Sequence, residues 1–383
     1  MLSAIQYVGL EHLLRAGYQS RQEGYSLFAQ NTKLLYESGY ETDDLTVLQA
    51  LLLVAQCCES FSGATGWCRS CYVIRLAATM GIFETCPAVP LGPNHQKLRK
   101  RLAWVCYMMD CLSAFRARRA PLINPVEFRV SMISVDDFDI SFGPLSAAEL
   151  PLDCVFVRDV DVQQTAATLC VSLAQLCTCI RELLAVQGRP DRSSSSDRTS
   201  AGTGNGIIRH PSRLARLQAT TKALALWRDR LPPVCQFASL KSVDNIQTKS
   251  LMYPSIVVQK CSLEMVYFSA VAVLHQPEIF SSVARTRHAA LQITQIASEL
   301  RERGLQQLIP VTGATAILIA MIVHITDLRR TDPTVRHEAI KGVQSCQKTM
   351  VGLEEVYPAV RTASPLTFVH SGTRFPSRRS GPT

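Results

Sequence analysis

Three features of the sequence predict an all-α fold. Apolar residues recur at three- and four-residue spacing through long segments, strand-like alternation is scarce, and glycines and prolines gather between the periodic segments. With 383 residues, 47% hydrophobic and 19% charged, the chain has ordinary globular composition and enough length to bury a large core.

Each element follows from its local pattern. Tyr25, Leu27, Phe28, Leu34, Leu35 and Tyr36 predict a helix within Ser20 to Gly39, where the glycine can stop it. In ETDDLTVLQALLLVAQCCES, Asp43 or Asp44 is the expected cap of the next helix. GATGWCRSCYVIRLAATMGI is a helix flanked by glycines, and Pro87, Pro90 and Pro93 mark a loop after it. A long helix is predicted from about Gln96 to Phe115. Residues 121–153, with four prolines and the acidic run VDDFDIS, read as loop, and helix returns at 160–186. Later helices are predicted over 213–230, 249–275, 282–303, 311–328 and 333–352. The resulting organisation is a helical part over 1–187, a flexible Ser/Gly/Arg-rich loop over 188–212, a second helical part of the same region over 213–360, and a disordered basic tail over 361–383.

The formal net charge of +9 suggests nucleic acid until it is placed along the chain. Residues 188–216 carry net +4 and the stretch from Arg361 onward another +4, so the remainder is close to neutral and no broad basic face is expected. The fourteen cysteines are expected to be reduced, mostly buried thiols, because the chain is long and Glu11 and His12 interrupt what would be the apolar core of a secretion signal. The nearly uncharged run from Leu308 to Ile325 only just reaches the length of a membrane span and contains Pro310 and Gly313, so it reads as a central buried helix.

Motifs that carry chemistry are few. Cys68 and Cys71 form a C-x-x-C without a second pair at zinc-binding spacing, and lie three apart as core residues on one helix face do. GTGNG at 202–206 lacks the spacing and the preceding strand of a phosphate loop. Asp136, Asp137 and Asp139 in DDFD read as a solvated turn, and the eight histidines show no ligand spacing. No G-x-S-x-G, H-E-x-x-H or Walker lysine is present, so no enzyme is expected.

The unusual residue is Asp110 in RLAWVCYMMDCLSAFRARRAP, a carboxylate among Val105, Cys106, Tyr107, Met108, Met109 and Leu112. Burying it alone would be costly, so it needs a partner.

Taken in order, GYQSRQEGYSLFAQNTKLLYESGYETDDLTVLQALLL at 17–53, IRLAATMGI at 74–82, RKRLAWVCYMMD at 99–110 and RRAPLINPVEFRVSMISVDDFD at 118–139 resemble the middle homology region of fungal transcription factors, the helical regulatory domain that follows a binuclear zinc-cluster module. The likeness is to the cutinase transcription factor and acetamidase regulator group. It departs from that pattern where Ala103 precedes Trp104, Cys111 follows Asp110 and Ala120 separates Arg119 from Pro121.

The resemblance marks Arg75, Arg101, Trp104, Tyr107, Asp110, Arg118, Arg119 and Pro121 as architectural motif residues. It implies that Asp110 bonds to an arginine, Arg75 first and Arg118 or Arg119 second. It also implies a nuclear transcriptional regulator of metabolic or biosynthetic genes, working through a second copy, a paralogous factor, the transcription machinery or a small effector. No cofactor is expected in this chain, since zinc would belong to the DNA-binding module, whose C-x2-C-x6-C spacing is absent. Neither direct sequence-specific DNA contact nor membrane association is expected. Two other readings stay open: a gene model that lacks an upstream zinc-cluster exon, and a non-catalytic helical ligand-binding protein in which Trp104, Tyr107 or Phe115 could meet the ligand.

Overall fold

The computed structural model describes residues 4–5, 7–60, 70–84, 92–140, 159–187, 213–239, 253–274, 283–354 and 356–357. Eleven α-helices and no strand occur among them: α1 (Leu10–Arg15), α2 (Arg21–Glu37), α3 (Asp44–Ser60), α4 (Ser70–Thr79), α5 (Pro93–Ala117), α6 (Val160–Gln187), α7 (Arg213–Asp229), α8 (Pro254–Leu274), α9 (Val283–Glu302), α10 (Val311–Asp327) and α11 (Pro333–Leu353). The all-α class expected from periodicity is the class observed.

Helix α8 is the axis of the molecule. Its sequence, PSIVVQKCSLEMVYFSAVAVL, is apolar on nearly every side, and a helix of that kind must be covered all round. Ile256, Leu263, Val266, Ala270 and Val273 join a core built from α3 to α7, whereas Val257, Val258, Cys261 and Met265 join a second core with α9, α10 and α11. A small third cluster holds Ile5, Leu13, Tyr25, Ala29 and Val54 near the N-terminus. There the buried Arg21 donates to the carbonyls of Ile5 at 2.5 Å and Val8 at 2.6 Å. Both α6 and α8 are long and apolar enough to cross a bilayer, and more than half of each apolar window is buried inside the bundle.

The helix bounds differ from the sequence reading at instructive places. Helix α5 begins at Pro93, which the sequence reading assigned to a loop; proline suits a first helical position, where its missing N–H would have no partner anyway. Arg118, in the left-handed region at φ 49°, ends the same helix, with the Arg119 N–H returning to the Ala114 carbonyl at 3.0 Å. The short α1 carries too few turns to show periodicity and was not foreseen. Cys68, the predicted loop at 188–212, GTGNG and the tail from 361 lie outside the described residues.

The second core holds a buried polar cluster centred on Thr294 and His324. The Thr294 hydroxyl lies 2.9 Å from His324 Nε2 and 3.4 Å from Cys346 Sγ, which ties α9, α10 and α11 together. Gly342 lets α11 approach the imidazole, since a Cβ there would come within 2.6 Å of three ring atoms. Gly342→Ala is expected to cost about 2 kcal/mol, read by chemical denaturation, because neither the ring nor the helix has room to yield.

Burial holds His324 below its ordinary pKa of 6.5, while Asp327 pulls weakly the other way. The unfolded chain therefore takes up a proton near that value that the folded chain resists, and stability falls as pH drops through it. Denaturation curves from about pH 7.5 to about pH 5 should show this loss, and His324→Gln, which has no proton to gain, should lose less over the same interval.

Candidate functional site

Most of the residues marked by the resemblance converge on one construction. Residues 118–140 form a strap that runs back along α5 in the opposite direction. Near its far end Lys100 pairs with Asp137 at 2.7 Å, and Arg101 donates to the Asp137 carbonyl at 2.7 Å and to Asp139 at 2.8 Å. Midway, Trp104 Nε1 donates to the Ser131 carbonyl at 2.9 Å, and the Trp104 and Tyr107 rings close on Phe128 with centroids 5.2 and 4.7 Å away. The Arg129 N–H, donating to the Phe83 carbonyl at 2.9 Å, attaches the strap to the turn after α4. The aspartates of DDFD are thus divided: Asp137 and Asp139 form ion pairs with α5 where the sequence suggested a solvated turn. Burial alone would raise the Asp137 carboxyl, but bonds from Lys100 and Ser134 outweigh it and hold the group below its usual value.

At the near end Asp110, with 0% exposure, accepts the Leu122 and Ile123 N–H groups, one on each oxygen, both at 2.9 Å. Pro121 has no N–H, so these are the first free donors after the turn. Arg119 lies 3.6 Å and Arg181 3.7 Å from the carboxylate, inside ion-pair range but beyond a good hydrogen bond. Arg181, on α6, donates to the Ile123 carbonyl and stacks 4.7 Å over the Tyr107 ring. One strap residue, Ile123, is therefore held through its N–H by Asp110 and through its C=O by Arg181.

Arg75, the partner first expected for Asp110, is exposed on α4, and the described cations within 4 Å are Arg119 and Arg181. Arg118 serves as the left-handed end of α5. Arg181 escaped the sequence reading although its setting, LCTCIRELL, repeats the signal that singled out Asp110, a charge inside an apolar helix. Asp110, enclosed by two N–H groups and two guanidinia, is placed to hold the chain together.

The opposite side of α5 faces a cavity of about 750 Å³, open to solvent on one side, between α5, α6, α8 and the start of α10. Met108, Met109 and Leu112 form one wall, Leu169, Cys170 and Leu173 a second, and Val258, Leu263 and Val266 a third. Of the aromatic residues that could meet a ligand, Trp104 and Tyr107 face the strap, and Phe115 borders a small adjoining recess, with Arg116 and Thr315, that shares Leu112, Val266, Val311 and Thr312 with the cavity. Burial pushes the Cys170 thiol up to about 11, and Cys106 and Cys261 to about 12, so these sulfurs stay protonated near neutral pH. Among the described residues no three metal-ligating side chains come together.

An all-α bundle, with an internal strap held by buried polar residues and an apolar cavity behind the same helix, defines a helical domain. The model of the fungal specific transcription factor domain matches residues 6–229, more than half of the chain, and the chain belongs to that family. Among its relatives, cutinase transcription factor 1 beta of Fusarium vanettenii is 32% identical over 95% of this chain and 43% of that protein. A transcription factor of Fusarium pseudograminearum is 26% identical over 95% of this chain and 42% of its own length, and transcription factor cpaR of Aspergillus oryzae is 27% identical over 100% and 65%. The chain thus spans roughly two fifths to two thirds of the length of these three relatives. No solved structure matches it.

Asp110→Asn leaves the shape but turns an NH2 group toward a backbone N–H and removes the charge facing two guanidinia. It should cost about 3 kcal/mol in chemical denaturation. Arg75→Ala should change stability by less than about 0.5 kcal/mol in the same measurement, as expected of an exposed site without a buried partner.

Proposed function

We propose that this chain is the regulatory region of a nuclear transcriptional regulator, controlling metabolic or biosynthetic genes through protein contacts or effector sensing. The observation that carries the reading is the family match over residues 6–229. The geometry supports it, because the family-matched polar residues other than Arg75 serve the strap and none is arranged as an acid–base pair or a nucleophile. DNA reading would fall to a zinc-cluster module, on a longer form of the protein or on a partner, since the six-cysteine spacing is absent from this sequence. Zinc belongs to that module and is not required by this chain. The partners proposed are a second copy, a paralogous factor and the transcription machinery. Two relatives are named cutinase transcription factors, which makes cutinase genes the first targets to examine.

Fusing the chain to an unrelated DNA-binding module upstream of a reporter in a filamentous fungus tests the reading. A several-fold change in reporter output, up or down, with the fusion in the nucleus is the expected result. A fusion that is expressed, folded and nuclear but leaves the reporter unchanged would count against it.

A further inference from the structure

We propose that the cavity behind α5 is a binding site for a neutral long-chain molecule, of the alcohol or ester class, with a mainly hydrocarbon body and one uncharged hydrogen-bonding head. Three observations carry this. The first is size: about 750 Å³ in a solvent-open cleft between packed helices falls in the range of small-molecule sites. The second is charge. None of the described lining residues is Asp, Glu, Lys, Arg or His, so a carboxylate or ammonium entering it would lose its hydration without meeting a counter-ion.

The third is the distribution of polarity. Deep in the walls the polar groups are already committed, the Ser262 hydroxyl to the Val258 carbonyl at 2.7 Å and the Tyr357 hydroxyl to the Ile309 carbonyl at 2.7 Å. Ser255 and Gln259, one turn apart on α8 and exposed, offer donors and acceptors side by side at one end, while Tyr7 and Thr312 contribute single hydroxyls elsewhere in the lining. The paired polar groups of Ser255 and Gln259 receive the head while its chain runs inward past Met108, Met109 and Leu173, where the flexible thioethers can conform to it.

The site is tested on the purified full chain, independently of any effect on transcription. Intrinsic fluorescence and thermal shift are followed during titration with 1-octanol, 1-decanol and 1-dodecanol, each kept below its aggregation limit, and with dodecanoate and dodecylammonium. The alcohols should bind saturably at one site, tightening roughly fourfold per added methylene as hydrocarbon is buried. Either charged analogue should bind at least about tenfold more weakly than 1-dodecanol. Ala166→Trp, which fills the cavity, and Gln259→Trp, which blocks its exposed end, should each remove binding while the circular dichroism spectrum is unchanged. Because Gln259 is exposed, that variant keeps the test valid if Ala166→Trp fails to fold. Absence of saturable alcohol binding, equal or tighter binding of dodecanoate or dodecylammonium, or alcohol binding unchanged in a folded cavity variant would each overturn the assignment.

Discussion

The buried Asp110 carboxylate, shared between two strap N–H groups and flanked by Arg119 and Arg181, is the contact on which the N-terminal half of the fold depends. Remove it and three things lose their reason to be in place at once. The strap loses its first anchor, the aromatic layer of Trp104, Tyr107 and Phe128 loses its cover, and Arg181 is left as a buried cation without its carboxylate. A charge so deep is tolerated because each oxygen has a donor at 2.9 Å. The net gain from such a cluster is small beside its desolvation cost, so its main effect is to fix one arrangement of α5, α6 and the strap among several that apolar packing alone would allow.

The same device recurs wherever an apolar helix could slide or rotate against its neighbours. Glu264, on the largely apolar α8, is met by Arg228 of α7, whose guanidinium also lies 5.5 Å over the Tyr267 ring. Asp327 at the end of α10 takes Arg287 of α9 at 2.8 Å. Glu299 of α9 accepts from Ser239 at 2.9 Å and from Gln295 at 3.0 Å. Leucine, valine and alanine faces pack acceptably in many registers, and a buried carboxylate with a fixed partner excludes most of them.

What the sequence disclosed divides along physical lines. Long helices were legible because burial imposes a period, and the anomaly of Asp110 was legible because a carboxylate among Met, Val and Cys demands compensation. Its partners were less so. Backbone N–H groups at Leu122 and Ile123 have no side-chain signature, and Arg75 was a reasonable candidate on a neighbouring helix whose facing side the periodicity did not resolve. Arg181 carried the right signal but stands far along the chain, beyond a segment where pattern gives no geometry. The cavity left no trace, because Met108, Leu112 and Leu169 lining a void look the same in sequence as those residues packed against a neighbour.

Helix α5 separates the strap from the cavity, and this geometry dictates how the two can communicate. Met108, Met109 and Leu112 form a cavity wall, whereas Trp104, Tyr107 and Asp110 grip the strap from the other side of the same turns. A helix bonded along its length moves as a body, so an occupant that shifts the wall by rotating α5 must also move the Asp110 carboxylate relative to the Leu122 and Ile123 N–H groups. Those two bonds have little slack at 2.9 Å, and Arg181 makes any loss of contact at Ile123 felt in α6 as well. An occupant would therefore select between a strap held and a strap released only insofar as it binds one arrangement more tightly than the other. The two buried charges make that difference discrete, since an intermediate position would leave a carboxylate and a guanidinium unpaired inside the core.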